Sequence, residues 1–114
     1  SQQFTSAQRS GVTTLTSSSN VVTLDASLNN SYVLELDENV TTFTVTNIAV
    51  GTTFDIEISQ DGSGEYAISG WDAAITWPDG TAPTISVSAN NVDVISCKSF
   101  DGTTLRCCYA QDFS

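Results

Sequence analysis

Alternation of apolar and polar residues is the feature that most constrains this chain. In the run Phe54-Asp55-Ile56-Glu57-Ile58, apolar side chains occupy every second position and carboxylates lie between them. Successive side chains of a β-strand point to opposite faces, so this run predicts a strand with one face in a core and the other in water. The period of two recurs along the chain without a sustained period of 3.6 residues, which predicts an all-β fold.

Turn signals divide the rest of the chain into short apolar runs. The clearest ones are Asn29-Asn30, the Gly-rich run 61–64, Asn90-Asn91 and Asp101-Gly102. About 8–10 short strands separated by such turns are typical of sandwiches and jelly rolls. The sequence therefore predicts a jelly-roll-like β-sandwich of short antiparallel strands over residues 21–114, and the chain length of 114 residues fits one domain.

Residues 1–20 have a different composition from the rest of the chain. They are rich in Ser, Thr and Gln and contain few large apolar side chains. A segment that can bury so little apolar surface does not fold alone, so we expect an extended N-terminal arm. Two interpretations stay open, a frayed terminus and an arm that a partner orders. In the second, the contacts would come from Phe4, Arg9, Val12 and Leu15.

Charge and the absence of histidine narrow the function. The chain has 13 acidic residues, 3 basic residues and no histidine, for a net charge of -10. An anionic protein is repelled by nucleic acid and by anionic membrane surfaces, and no apolar run reaches the ~18 residues of a spanning helix. Histidine is the commonest general base and the commonest metal ligand. We therefore expect a non-enzymatic protein with no catalytic residues, no metal, no cofactor, and neither nucleic acid nor membrane as a partner.

Three cysteines lie near the C-terminus: Cys97, Cys107 and Cys108. An odd number favours free thiols in a reducing compartment. The terminal hairpin leaves a pairing open, because a two-residue turn at 101–102 puts Cys97 opposite Arg106, whereas a three-residue loop at 101–103 puts Cys97 opposite Cys107. Adjacent strand residues point to opposite faces, so Cys107 and Cys108 must diverge.

Tyr66, Trp71 and Trp77 lie around an irregular, Pro- and Gly-containing segment. Aromatic rings in a loop at the rim of a sandwich suit a platform for a sugar ring. The alternative is packing, with one Trp closing the open end of the core and the other covering an edge. Both interpretations predict partly buried rings, and they differ in whether substitution unfolds the protein.

Several of these runs together resemble a β-rich module of tailed-bacteriophage structural proteins. The resemblance covers about residues 21–114 and is carried by these elements: Trp77–Pro83, Asn90–Val94, the Phe-Asp-Gly hairpin that ends near Gln111–Phe113, the Tyr32-x-Leu-x-Leu strand and the Ile56-x-Ile-x-Gln60 run. It implies a virion protein that is usually trimeric. No shaft precedes the module, so we expect a capsid decoration (cement) protein, a homotrimer bound to the major capsid protein on the virion surface and assembled in the bacterial host cytoplasm. The alternative is a tail-fibre or receptor-binding tip that recognises cell-surface carbohydrate.

Overall fold

The computed structural model describes residues 11–113. It contains eight β-strands and one short 3-10 turn, in this order: β1 (Val12–Leu15), β2 (Val21–Asp25), β3 (Ser31–Leu36), β4 (Thr42–Thr46), β5 (Thr53–Gln60), β6 (Ile75–Thr76), the turn at Pro78–Gly80, β7 (Val92–Ser99) and β8 (Leu105–Phe113). The described part of the chain has no α-helix, and the prediction of an all-β fold is confirmed.

From β1 to β5 the chain alternates between two sheets. Strands β1, β3 and β5 pair in parallel in one sheet, and β2 and β4 pair in parallel in the other. Parallel neighbours need a crossover connection, and here each crossover contains a strand of the opposite sheet. Residues 12–60 therefore wind around the core as successive turns of parallel strands, as in parallel β-helices. We call this region the coil.

Apolar rows fill the inside of this coil. Parallel, in-register pairing places side chains of the same face above one another, so Val22 lies on Phe43 and Leu24 on Val45. In the other sheet Leu34 pairs in register with both Leu15 and Ile58; all of these side chains are buried. Removing such apolar surface from water stabilises the fold by roughly 25 cal/mol per Å², which makes these rows the main source of the coil's stability.

The segment 68–71 lies beside β4 and extends the smaller sheet. Bridges in parallel orientation join Val40 to Ile68 and Phe43 to Trp71. The Phe43 N–H donates to the Gly70 carbonyl at 2.7 Å. A Cβ atom on Gly70 would lie 1.8 Å from the Thr41 carbonyl oxygen, so only glycine allows this close approach. The contact brings Trp71 onto Phe43.

The C-terminal strands complete the larger sheet in a different orientation. Its order is β1-β3-β5-β7-β8-β6, with β7 antiparallel to both β5 and β8 and β6 parallel to β8. Four strand pairs, β1/β3, β2/β4, β3/β5 and β6/β8, are parallel, so the prediction of antiparallel strands is wrong for them. The two sheets around one core are consistent with a sandwich, but the jelly-roll order is not confirmed. Alternation of burial is the same in parallel and antiparallel strands, so it carries no information on direction.

Only the second half of the predicted arm, residues 11–20, lies within the described residues. Residues 1–10, with Phe4 and Arg9, lie outside the described residues. Residues 11–20 contain β1, where Leu15 is buried in the core and Val12 is 60% exposed. Leu15 is thus a core residue and is not available for partner contact. The Ser- and Thr-rich composition concealed this strand, although Thr suits a half-buried pleated surface.

The terminal hairpin takes the register predicted for the three-residue loop, in which Cys97 lies opposite Cys107. Cys97 pairs with Cys107 and Ser99 with Leu105. Cys97 and Cys107 form a disulfide, and Cys108 is free and exposed on the opposite face. The expectation of free thiols is therefore wrong for Cys97 and Cys107, both of which are buried.

Candidate functional site

Four aromatic rings form a continuous series from the core to the surface. Phe43, which is fully buried, lies 5.1 Å from Trp71 between ring centroids. Trp71 lies 5.2 Å from Trp77, and Trp77 lies 6.1 Å from Tyr109, both in edge-to-face geometry. Edge-to-face pairs at these distances are attractive beyond the area they bury. The series ends at Tyr109, which is 41% exposed.

The local sequence explains where these rings stand. Trp77 follows the two-residue strand β6 and precedes Pro78. Proline has no N–H to donate to a strand ladder, so the chain leaves the sheet at this point and turns. Asp79 and Gly80 complete the turn with positive φ angles of 58° and 70°. The Trp77 ring is thereby placed at the edge of the sheet beside β8.

The predicted aromatic platform is brought together only in part. Trp71 and Trp77 are in contact, but Tyr66 is not in this series. Its backbone is bound by Gln60, whose Nε2 donates to the Tyr66 carbonyl at 2.7 Å and whose Oε1 accepts from the Tyr66 N–H at 3.1 Å. Its partly buried side chain packs on the core. Tyr66 therefore contributes to packing against the core and not to the aromatic series.

Tyr109 is the aromatic residue that the sequence reasoning missed. It lies opposite Ile95 in the terminal hairpin. Once the hairpin takes the register that pairs Cys97 with Cys107, Tyr109 falls on the same face as those cysteines, toward the tryptophans. The register itself was the only signal in the sequence that could have placed it.

Trp71 is the inner member of the tryptophan pair. Its side chain is partly buried, and its indole N–H is buried with no hydrogen-bond partner among the described residues. Packing on Phe43 and Trp77 leaves this ring little surface for a ligand. Of the two tryptophans, Trp77 is the one positioned beside a cleft.

That cleft opens at the sheet edge and has a volume of about 230 Å³. Its lining residues are Thr76, Trp77, Pro78, Arg106 and Cys107. The Arg106 guanidinium donates to Thr76 Oγ1 at 3.1 Å, and Thr76 Oγ1 in turn donates to the Leu105 carbonyl at 2.7 Å. The cleft thus combines an aromatic side chain, Trp77, with a cationic group that one hydrogen bond holds to Thr76.

The outward face of the larger sheet carries charges of both signs. Glu35, Asp55 and Glu57 are exposed on β3 and β5. Lys98 and Arg106 are exposed and stand directly opposite each other on β7 and β8. A like-charge cross-strand pair is unfavourable for folding, which makes this pair notable in a chain of net charge -10.

Two carboxylates at turns have lowered pKa values. The N–H groups of Thr103 and Thr104 donate to Asp101 Oδ1 at 2.9 and 2.7 Å, and these bonds lower the pKa of Asp101 to about 2. The side chains of Ser27 and Asn47 and the Ser27 N–H lower the pKa of Asp25 in the same direction. Hydrogen bonds to the ionised form have this effect, and at both sites they stabilise a turn.

Neither a metal centre nor a membrane span is found within residues 11–113. No group of three or more His, Cys, Asp or Glu side chains there is suited to hold a metal ion. The same residues include no helical segment with the length and apolar character needed to cross a bilayer.

Comparison with known proteins gives no relative: no protein-family model, no curated protein and no solved structure matches this chain.

Proposed function

We propose that this chain is a non-enzymatic structural protein of a tailed-phage virion, a decoration protein that trimerises on the head shell and stabilises it. In this proposal it assembles in the bacterial host cytoplasm, binds the major capsid protein and sits on the capsid surface. The resemblance of residues 21–114 to phage β-modules supports it. The proposal needs a rigid β-module and does not depend on the jelly-roll order predicted from the turn spacing.

The position of β1 is the observation that carries this proposal. β1 is an edge strand of the six-stranded sheet, with β3 as its neighbour on one side. Residues 1–10 lead directly into it. Extended segments bind partners by adding to strand edges, so an N-terminal segment joined to an edge strand is well placed to contact a shell protein or a neighbouring subunit. The exposed Val12 side chain lies on the same strand.

Binding to undecorated shells tests the proposal directly. The full chain is expected to bind such shells and to migrate in solution as three copies of the 12.1 kDa chain. Deletion of residues 1–10 should abolish shell occupancy and leave the circular dichroism spectrum unchanged, because Leu15 and the rest of the core remain. The matched control is Arg9→Gln, which keeps the segment and removes its cation.

Each part of the proposal has an outcome that contradicts it. Full occupancy by the truncated chain would exclude the N-terminal segment as the anchor. Failure of the full chain to bind shells would exclude decoration. A monomer on the shell and in solution would exclude the trimer.

The aromatic series favours a second candidate function, a receptor-binding tip for cell-surface carbohydrate. Trp77 and Tyr109 present rings at the surface beside the cleft, and flat apolar rings suit the faces of sugars. Here Trp77→Ala should abolish adsorption to host cells or glycans, and Tyr66→Ala is the control because Tyr66 lies outside the series. If Trp77→Ala unfolds the chain, Trp77→Leu keeps much of the apolar volume but removes the flat ring, and unchanged adsorption by the folded variant would count against this function.

A further inference from the structure

The cationic pair Lys98 and Arg106 is unusual for this molecule. The chain has only three basic residues against 13 acidic ones. Two of the three face each other across β7 and β8, an arrangement that costs stability. Within residues 11–113, Lys98 contacts the Phe100 ring at 5.4 Å and Arg106 binds the Thr76 hydroxyl, and neither forms an ion pair with a carboxylate. The pair is a local positive site on an acidic protein.

Arg106 is held at the edge of the cleft in a fixed orientation. Thr76 is its cross-strand partner on β6, and Thr76 Oγ1 accepts from one guanidinium nitrogen while donating to the Leu105 carbonyl. Arginine has five N–H donors in a rigid planar fork. The single bond to Thr76 leaves most of them for a ligand, and the fork matches the two oxygens of a carboxylate.

Trp77 provides a second contact of different chemistry. Its ring is fixed between Trp71 and Tyr109 by edge-to-face contacts at 5.2 and 6.1 Å. A ring that is already immobilised loses little conformational freedom on binding. Trp77 and Pro78 give this side of the cleft an apolar wall, and an aromatic ring there suits the C–H face of a sugar ring.

Size and charge narrow the ligand further. The cleft of about 230 Å³ is smaller than the roughly 300–1,000 Å³ of sites for drug-sized molecules, so it suits a single ring. The net charge of -10 and the exposed Asp79 on the adjoining turn disfavour a polyanion such as nucleic acid. A ligand with one ring and one carboxylate is small enough for the cleft and carries only a single negative charge.

We propose that this cleft binds a saccharide unit that carries a carboxylate, of the hexuronate class. The ring lies on Trp77, the carboxylate is bound by Arg106, and Lys98 adds a second positive charge nearby. This inference specifies the ligand of the second candidate function and rests on it for the choice of a saccharide. Decoration of a shell neither requires nor excludes it.

Titration of the full chain with sugars, followed by NMR, tests the proposal. The probe is galacturonate, with galactose as the uncharged comparison. Galacturonate should bind with a dissociation constant on the order of 1 mM, as expected for one ring. The shifted signals should be the Trp77 indole N–H and the backbone amides next to Arg106. Galactose should bind at least about tenfold more weakly, because it lacks the charge-assisted bonds.

Variants separate the roles of the two walls. Arg106→Gln should reduce galacturonate affinity about tenfold, to the level of galactose, and Arg106→Lys should recover only part of the loss since lysine lacks the planar fork. Lys98→Gln should have an effect of about two- to threefold. Glu57→Gln, on the same outward face but away from the cleft, is the matched control. Because Arg106, Lys98 and Glu57 are all exposed, these variants are expected to fold.

The outcomes also distinguish this inference from the functions proposed above. Equal affinity for galacturonate and galactose, both lost in Trp77→Ala or Trp77→Leu, would support carbohydrate binding and overturn the acidic specificity. Binding that persists unchanged in Arg106→Gln would overturn the role of that residue. No binding of either sugar at tens of millimolar by the folded chain would overturn the site, while shell occupancy, measured separately, would still decide decoration.

Discussion

Residues 12–60 and residues 61–113 reach a closed core by different means. In the first region, the coil, buried apolar side chains stack in rows on parallel strands, as Val22 does on Phe43 and Leu24 on Val45. Such rows need only hydrophobic side chains of about the right volume. Apart from Gln60 at its end and the hydroxyl group of Tyr32, the buried side chains of the coil are apolar.

In the second region, which we call the cap, buried polar groups hold irregular backbone to the sheet. Gln60, at the junction, is 2% exposed and donates through Nε2 to the carbonyls of Tyr66 and Ser86. Asp93 is 1% exposed and accepts from the Ser86 N–H at 2.7 Å and from the Asp112 N–H at 2.9 Å. These two side chains fix segments that have too few apolar residues to fix themselves.

The buried polar groups of the cap determine where a binding site can form. A buried polar group that is fully paired specifies one backbone conformation, since any other leaves it without partners. The cap therefore holds loops in defined positions, and it contains Trp77, Tyr109 and Arg106. The coil supplies the rigid base. Substitutions that act on one region and spare the other can test this division.

Truncation of a coil row should have the largest effect. Phe43→Ala removes a fully buried ring that pairs with Val22 and contacts Trp71. We expect it to lower the free energy of unfolding by about 3–5 kcal/mol, whereas Phe43→Leu should cost less than about 2 kcal/mol because volume is mostly kept. Urea unfolding monitored by circular dichroism measures both. Similar losses for the two variants would mean that ring geometry, and not volume, governs the row.

Removal of the buried carboxylate should come next and should act locally. Asp93→Ala leaves the Ser86 and Asp112 N–H groups without an acceptor, and we expect a loss of about 3 kcal/mol. Amide hydrogen exchange should rise around Ser86 and Asp112 and stay unchanged at Leu34 in the coil. Asp55→Ala, an exposed carboxylate on the same sheet, is the control and should be nearly neutral. Uniformly faster exchange across both regions would show that coil and cap unfold as one unit.

The disulfide is the third test of the division. Cys97 and Cys107 are ten residues apart in sequence, and closing so short a loop stabilises a fold by about 2–3 kcal/mol in the chain-entropy model. The double variant Cys97→Ala, Cys107→Ala should lose about that amount, with faster amide exchange in the terminal hairpin. Cys108→Ser, at the free and exposed cysteine, should change nothing. A double variant as stable as the parent would show that packing alone holds the hairpin.

Strand faces were predictable from the sequence because burial follows side-chain period. Phe54, Ile56 and Ile58 are buried, and Asp55 and Glu57 are exposed, as the alternation predicts. The parallel coil was not predictable. Its in-register partners are separated by unequal steps, 19 residues from Val12 to Ser31 and 24 from Ser31 to Asp55, so no repeat of fixed length marks it. The uneven loops between strands hide the repetition.

The candidate site shows the same limit. Trp71 and Trp77 could be grouped from the sequence because they are close in the chain and share an irregular segment. Tyr109 reaches the Trp77 ring, and Arg106 the cleft, only through the register of the terminal hairpin. Thr76 reaches Arg106 through a parallel pair that joins residues 30 positions apart. Contacts between residues far apart in sequence depend on strand order, which local patterns do not encode.

The smallest expected effect concerns exposed turn carboxylates, one in each region. The pKa of Asp101 in the cap lies at about 2, below its ordinary value of 3.8, and that of Asp25 in the coil is lowered as well. A carboxylate with a lowered folded-state pKa contributes stability above its ordinary pKa and loses it as pH falls through the folded-state value. Asp101→Asn keeps a side-chain oxygen for the Thr103 and Thr104 N–H groups but removes the charge. We therefore expect the parent to be slightly more stable than Asp101→Asn at pH 5, with the difference shrinking from about pH 4 downward and vanishing below about pH 2.

Urea unfolding of both proteins at pH 5, 3 and 2 measures that difference, and Asp25→Asn provides the same comparison in the coil. Solvent screening keeps both effects small, since each carboxylate is exposed. A difference that grows on acidification would mean that charge at the turn destabilises the folded state. If the change in the free energy of unfolding at Asp101 were as large as that at Asp93, exposed turn carboxylates would stabilise the cap as strongly as buried ones do.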